Sequence, residues 1–584
     1  MKVKYLFFAG LVSMMAWSCS DDELQGGGND KPTDAKTYME ISINMPAATR
    51  TATPNQGQEE GQEFENYVGS VLILAVEAEE KAGKLIEDNL VFAKKVEYDG
   101  INTPATSDVS HVLINDVTGM DVKRTGVGDT KGYTIYAFVN PTNNMVEYYT
   151  QLVGTTTAWA TAKEYRMGSQ SEKENVNKFI EELTADGYAD HFNNSSQVSL
   201  NQGHFLMTDT RMENVGTGAE EQPKEKVIYY FTPGMLPGSH VLKASTNVER
   251  AVARFDYKDN VAYTLSKNAN STEQPDGGAE LIIKLTDYCV MNVAKDFYYL
   301  KRVTENADKG SAANWIYGGA ELKTNYVVDA DWTAKNGLVN GDWSDETAKG
   351  LFYTPLNGDA TNNYIPLNRT LFEDNWDGDN DTNRGDYKAL CYCTENTIFG
   401  VDNQIHGLTT AIVFKAEVTG DFVKGAPSEE GKKALYRYSN TIYNSWEAVK
   451  NVAGCTDVDY DAYYKAFQLS DKDPYKKPDI TKWDIEGTND DAKAICYYTY
   501  WNRHNDNGNN NRMGIMEFAV VRNNIYKLFV KSILRLGEPT DPTNPGEEGN
   551  KEPPTEPDES EKISMEVDVK VLNWAVRKND ITFD

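Results

Sequence analysis

The sequence predicts a mainly β protein: two β-rich domains, an extended segment, and one last strand. Three observations predict this. Apolar residues alternate with period two or form short continuous runs bounded by turn residues, the patterns of half-buried and fully buried strands. A breaker-rich stretch near the middle, Asn268–Gly278 (NANSTEQPDGG), divides the strand-rich sequence in two. Finally, residues 538–561 hold six prolines, nine acidic residues and a single lysine, a composition that self-repels and cannot build a core.

Taken in order, the chain opens with Lys2 and Lys4 before an apolar run, Tyr5 to Trp17. That run is too short for a membrane span and suits the h-region of a signal peptide, residues 1–18. Small residues at Ala16 and Ser18 precede Cys19, so a lipidation site at Cys19 is expected, with an ordinary signal peptide cleaved nearby as the alternative. A tether rich in Gly, Asp, Pro and Thr leads to the strand Thr37–Met45. There Met39, Ile41, Ile43 and Met45 face one way and Glu40, Ser42 and Asn44 the other. Pro46 ends it, and residues 47–64 read as a loop whose one basic residue is Arg50.

The first domain is expected over 51–272. Val71–Val76 and Tyr133–Val139 are continuous apolar runs, as in strands covered on both faces; Asn140-Pro141 closes the second. A helical period suggests one or two helices within 158–186. Val227–Phe231 and His240–Val248 read as strands, and Val248–Phe255 (VERAVARF) as an apolar strand with inserted charges. The second domain is expected over 273–537. Its strands are Leu281–Leu285, Leu408–Val418, Ala494–Trp501, Met516–Val521 and Ile525–Ile533, with Asn523-Asn524 as a tight turn between the last two. Residues 433–470 have a partly helical period, and 303–383 are polar and turn-rich, anchored by Trp315, Trp332 and Trp343. A linker, 538–562, then leads to 563–584. In that last segment Ile563, Met565, Val567, Val569 and Val571 form one apolar row, followed by Trp574 and Phe583.

The 584-residue chain has a formal net charge of −31, which excludes a nucleic-acid partner, since phosphates require clustered Lys and Arg. No catalytic, cofactor or metal site is expected. The six histidines show no HExxH or comparable ligand spacing, and there is no GxSxG elbow or P-loop lysine. Asp377-Gly-Asp379-Asn-Asp381 begins like a calcium loop, but Thr382 stands where the turn glycine is needed, so a solvated acidic loop is expected. Arg384-Gly-Asp386 is a three-residue adhesion match and too short to weigh. Beyond Cys19, Cys289, Cys391, Cys393, Cys455 and Cys496 are expected mainly as buried thiols, with one disulfide possible.

The two alternating strands at opposite ends carry the functional reading. If Thr37–Met45 completes the first domain's sheet, cleavage between Arg50 and Thr51 by a trypsin-like protease frees it. The vacated groove has unpaired backbone groups and an apolar floor. The tail strand, on a leash of order 70 Å when extended, has the matching alternation to fill that groove in another copy; the alternative is that Ile563–Asp584 packs on its own domain as an edge strand, which would need no such leash. Donor and acceptor lie at different places on one chain, so the contact propagates head to tail.

The lipoprotein signal ending at Cys19, MEISINMPAATR, TIYAFVNPT, VERAVAR, VVRNNIYKLFVKSI and MEVDVKVLNWAVRKNDITF together resemble the type V fimbrillins of Bacteroidales, most of all the major shaft subunit of the short fimbriae. The middle, about 303–405, matches poorly. Ser20-Asp21-Asp22-Glu23 resembles the tag that sends such lipoproteins to the surface. The resemblance implies two transthyretin-like β-sandwiches, a lipid on Cys19 anchoring the precursor in the outer membrane, and cleavage after Arg50 by an Arg-specific protease. It also implies polymerisation with copies of itself and with tip and anchor subunits, and adhesion to host or bacterial receptors. The alternative is a non-polymerising surface lipoprotein that binds glycans or nutrients.

Overall fold

The structure is a computed structural model. It describes residues 37–44, 58–61, 65, 68–97, 109–167, 205–304, 315–317, 324–330, 364–374, 387–543 and 565–575, apart from short gaps within these ranges. Cys19, Met45, Arg50, Thr51, Trp332, Trp343, the Asp377–Asp381 loop, Arg384–Asp386, Ile563 and Phe583 therefore lie outside the described residues, as does the helical pattern beyond 167.

In chain order the N-terminal half contributes β1 (Thr37–Asn44), β2 (Gln58–Glu60), β3 (Ser70–Lys81), β4 (Lys84–Glu97), β5 (Val109–Asn115), β6 (Lys131–Val139), β7 (Met207–Thr210), β8 (Phe231–Pro233) and β9 (His240–Arg250). All but β2 form one eight-stranded sheet, in the order β4-β3-β6-β7-β9-β1-β5, with β8 also pairing β9. The continuous apolar runs are covered on both faces, as expected. Val71, Ile73 and Ala75 of β3 share a core with Met39, Ile41 and Ile43 of β1. Leu72, Leu74 and Val76 join a second core containing Met145, Tyr149 and Trp159. Those three come from helices α1 (Asn143–Leu152) and α2 (Trp159–Ala162). The first helix thus begins upstream of the stretch where the periodicity placed it. Its signal was present: Thr142 caps it by accepting from Met145 N at 3.2 Å, and Met145 and Tyr149 are one turn apart.

The C-terminal half contributes β10 (Ala253–Lys258), β11 (Tyr263–Leu265), β12 (Leu281–Met291), β13 (Tyr387–Cys393), β14 (Ala411–Thr419), β15 (Lys433–Tyr438), β16 (Thr441–Tyr443), β17 (Ile480–Glu486), β18 (Lys493–Trp501), β19 (Asn524–Ile533) and β20 (Met565–Ala575). One sheet runs β2-β20-β19-β10-β13 and ends on Phe372–Asp374; the other runs β11-β12-β14-β18-β17-β15-β16 and ends on Gln274–Pro275. Phe255, Tyr257, Leu528 and Val530 of the first share a core with Leu281, Ile283, Phe414 and Trp483 of the second, which makes a β-sandwich. Helices α3 (Trp446–Ala453) and α4 (Tyr460–Ser470) sit between β16 and β17. Among the described residues no helix is long and apolar enough to cross a membrane.

Four expectations change. The chain leaves the N-terminal sheet between Arg250 and Ala253, because β10 and β11 already pair with C-terminal strands; the breaker-rich stretch at 268–278 follows that crossing. Val248–Phe255 is accordingly two strand ends joined by a buried link. Met516–Val521 is no ladder strand. It is buried, but makes a single bridge, Val520 with Asn396, and Asn523 turns the backbone through φ 60° into β19. The linker begins later than its composition suggests: Glu538 bridges Tyr497, Tyr364 donates to Asp541 at 2.6 Å, and Thr543 is buried.

The charges within VERAVARF are buried rather than exposed. Arg254 is fully buried, and its guanidinium spans Asp256 (2.8 and 2.9 Å) and Glu65 (3.2 Å). Tyr392 donates to Glu65 at 2.7 Å, and Lys527 lies 3.3 Å from Asp256. Burial alone would raise the Asp256 carboxyl, but Arg254 and Lys527 hold it below its ordinary value. Glu65 lies on the segment leading to β3, so this network fixes that segment against the C-terminal sandwich.

The described cysteines are all free thiols, with Cys289, Cys391, Cys393 and Cys496 buried and Cys455 half-buried. Burial pushes the Cys393 and Cys496 thiols up to about 12.

Candidate functional site

The candidate site consists of the slot holding β1 and the strand at the other end of the chain. β1 is an interior strand. It pairs in parallel with β9, from Thr37 opposite His240 to Asn44 opposite Asn247, and antiparallel with β5, from Tyr38 opposite Asn115 to Asn44 opposite Val109. Both edges of its backbone are therefore engaged. Met39, Ile41 and Ile43 are each fully buried, and the structure brings all three onto the one face expected from their alternation. They pack with Val112 and Ile114 of β5, Leu242 of β9 and Ile135 of β6. On the other face Glu40 meets its register partner Lys243 at 2.9 Å in solvent.

Three fully buried side chains at about 1.5–3 kcal/mol each make β1 worth roughly 5–9 kcal/mol before ordering costs. Removing it would uncover the matching face of β9. It would also leave β5 without a strand partner, since among the described strands β5 pairs only with β1. The slot is thus both apolar and bounded by two unpaired backbones, which is the arrangement that captures an extended segment.

The tail strand β20 is docked on its own chain. It pairs antiparallel with β19, Met565 opposite Ile533 through Asn573 opposite Asn524, with a register shift between Val530 and Ser532. Val567, Val569 and Val571 stand opposite Val530, Leu528 and Tyr526, and Met565 and Val567 are partly buried against the large core. On its outer edge, among the described strands, it carries only β2, a three-residue parallel contact in which Trp574 is opposite Glu59. Sequence reasoning found the alternating face and held packing on its own domain as an edge strand only as the alternative to donation; it named neither β19 as the partner nor the β2 contact. Neither has a local signal, because β2 (QEE) has no apolar alternation.

The two candidate strands are therefore mounted differently. β1 is held by a ladder on each side. β20 is held by one full ladder and a short contact, and reaches it through residues 544–564, which lie outside the described residues.

Residues 492–580 match the family model for the major fimbrial subunit protein type IV, fimbrillin, C-terminal. The matched region spans β18, β19 and β20. Within that segment, 89 of the 584 residues, the chain is similar to the C-terminal region of fimbrillins. This agrees with the sequence resemblance to Bacteroidales fimbrillins; the model's description says type IV where the motifs pointed to type V.

No curated protein sequence matches the chain. Among solved structures, a fimbrilin (FimA) from Porphyromonas gingivalis is similar at 10% identity, with 94% of this chain and 99% of that chain covered and a TM-score of 0.34. The tip fimbrial protein Mfa3 of Porphyromonas gingivalis, with a C-terminal truncation, shows 8% identity, 92% and 99% coverage and a TM-score of 0.29. A proposed cell adhesion protein from Parabacteroides distasonis shows 11% identity, 93% and 99% coverage and a TM-score of 0.36.

Proposed function

We propose that this protein is a shaft subunit of a cell-surface fimbria, exported as a lipoprotein through Cys19, cleaved between Arg50 and Thr51, and polymerised head to tail by strand donation. The observation that carries this reading is the mounting of β1: an interior strand, buried on one face, joined to the next described element only through the segment that contains Arg50. Cutting there breaks the one covalent link between β1 and the remainder of the chain. The slot then accepts β20 of a second copy, whose Met565, Val567, Val569 and Val571 repeat the spacing of Met39, Ile41 and Ile43.

Donation requires β20 to leave its berth on β19. Exchange of one docked strand for another conserves most of the buried area, so the equilibrium is set by the difference between two similar ladders. A subunit with both a removable strand and a tail strand can accept at one end and donate at the other, which suits a shaft position. Tip and anchor subunits and adhesion receptors are the partners this assembly calls for.

The test uses the purified precursor, its Arg50→Ala form and a form truncated after Thr543. The truncation point keeps Glu538, Asp541 and Thr543, which belong to the fold. After limited digestion with a trypsin-like protease, the full chain should give a ladder of heat-sensitive oligomers on unboiled gels. Neither variant should. Cleavage after Arg50 with every form remaining monomeric would overturn the reading and leave the surface glycan-binding lipoprotein as the alternative.

A further inference from the structure

The two end strands are alike residue by residue as well as in period. Met39-Glu-Ile-Ser-Ile-Asn-Met45 aligns without a gap on Met565-Glu-Val-Asp-Val-Lys-Val571. Met matches Met, Glu matches Glu, and Ile41, Ile43 and Met45 match Val567, Val569 and Val571. Around β1 the aligned positions have defined neighbours. Met39 stands opposite Leu242 of β9 and Ile114 of β5, Ile41 opposite Ala244 and Val112, and Ile43 opposite Thr246 and Ser110. One step past the last pair with β1, Asn44 with Asn247, β9 continues into Val248, which is fully buried in the same core. Glu40 is the one charged residue of β1, and Lys243 holds it at 2.9 Å.

We propose that β20 enters the slot of a second copy in a single register, parallel to β9, with Glu566 taking the place of Glu40 opposite Lys243. This register presupposes strand donation and specifies the contact that donation makes. Met565 then stands opposite Leu242, Val567 opposite Ala244, Val569 opposite Thr246 and Val571 opposite Val248. Glu566 and Lys243 form an ion pair between copies, where Glu40 and Lys243 form one within the precursor.

A strand that buries one face can shift only by even steps, since an odd step turns its apolar row to solvent. A shift of two toward the start of β9 brings Asn573 opposite Val248 and drives an amide into the apolar floor. It also sets Val567 where Met39 had been, leaving unfilled volume beside Leu242. A shift of two toward the end of β9 brings Val571 opposite Arg250. There the backbone N–H of Arg250 already donates to Asn523 Oδ1 at 3.3 Å, and its guanidinium donates to the Glu65 carbonyl, so the neighbourhood is polar and the backbone edge is taken. The middle register alone keeps the apolar row on the apolar floor and a carboxylate opposite Lys243. Lys243 and Glu40 are both solvent-exposed, so the charge pair selects register and partner, while the apolar row supplies most of the affinity.

The test is disulfide trapping in the protease-treated full chain. Adjacent strands lie ~4.8 Å apart, inside the ~4.4–6.8 Å Cα separation that a disulfide spans. A displacement of two residues adds ~6.6 Å along the strand, which takes a pair to about 8 Å and out of reach. Glu566→Cys is combined in turn with Val241→Cys, Lys243→Cys and Ser245→Cys, and Glu566→Cys alone is the control for the native thiols. After cleavage and oxidation, the combination with Lys243→Cys should keep its oligomer ladder through boiling without reductant and lose it with reductant. The other combinations and the control should boil to monomer. Trapping with Val241→Cys or Ser245→Cys instead, or with none of the three while unboiled ladders still form, overturns the register and leaves donation standing. Absence of any ladder from the unsubstituted chain overturns donation, and the register with it. Without engineered thiols, Glu566→Lys should slow ladder growth severalfold at low salt, and adding Lys243→Glu should restore it. Ladder growth indifferent to Glu566→Lys would overturn the role given to Glu566.

Discussion

Ile41→Ala in the uncleaved chain isolates the contribution of β1. Ile41 is fully buried, with Val112 of β5 on one side and Ala244 of β9 on the other. Truncating a buried isoleucine to alanine costs about 2–5 kcal/mol, and the cost rises when the cavity cannot collapse. Both neighbours of Ile41 are fixed by backbone ladders, so the upper half of that range is expected. Glu40→Ala is the control on the same strand. Its partner Lys243 lies in solvent, with side-chain exposures of 52% for Lys243 and 41% for Glu40, so about 0.2–1 kcal/mol is expected. Hydrogen exchange read at β5 is the assay, because among the described strands β5 pairs only with β1 and so reports its release. Ile41→Ala should speed exchange across Val109–Asn115 by at least tenfold, equivalent to about 1.4 kcal/mol at 25 °C, and Glu40→Ala should leave it nearly unchanged. Equal effects of the two substitutions, or no change at β5 with Ile41→Ala, would refute the reasoning that β1 is the buried keystone of this sheet.

Arg254→Met should destabilise the chain by about 3–5 kcal/mol in denaturant titration, since it removes the guanidinium that bridges the two buried carboxylates of Glu65 and Asp256; a loss near zero would mean the network is not formed. Because Asp256 is held below its ordinary value, its contribution to stability is present above the unfolded carboxylate value and is lost as pH falls through the lowered folded one. A wild-type melting temperature should therefore fall on acidification through that window, and the dependence should flatten in Asp256→Asn if that variant folds. Thiol labelling at mildly alkaline pH should modify Cys455 first, because Cys289, Cys391, Cys393 and Cys496 are buried with raised thiols. Rapid labelling of Cys391 or Cys393 in native chain would contradict their placement.

Several features were legible because their cause is local. Met39, Ile41 and Ile43 alternate with Glu40 and Ser42, and a period of two gives a strand one apolar face wherever it is later placed. Val71–Val76 and Tyr133–Val139 are apolar on both sides, and each is indeed covered by two different cores. The tail's alternation identified β20 on the same grounds. Features whose cause is distant were misplaced. Composition put the domain boundary in NANSTEQPDGG, but β10 crosses earlier to pair with β13 and β19. Proline and acidic content put Glu538 and Asp541 in a free linker, yet Tyr497 and Tyr364 hold them.

By itself, then, the sequence determined the β class, the apolar faces of the two end strands and the basic residue placed between β1 and the first domain. These follow from side-chain chemistry at neighbouring positions. Only the tertiary structure decided which strands flank β1, where β20 rests, and which charges become buried partners. Glu249 meets Lys301, and Arg254 meets Glu65, across intervals that no periodicity spans. Pairing partners are chosen by the burial of the whole sheet, and a charge enters the interior only where the fold delivers its counter-charge.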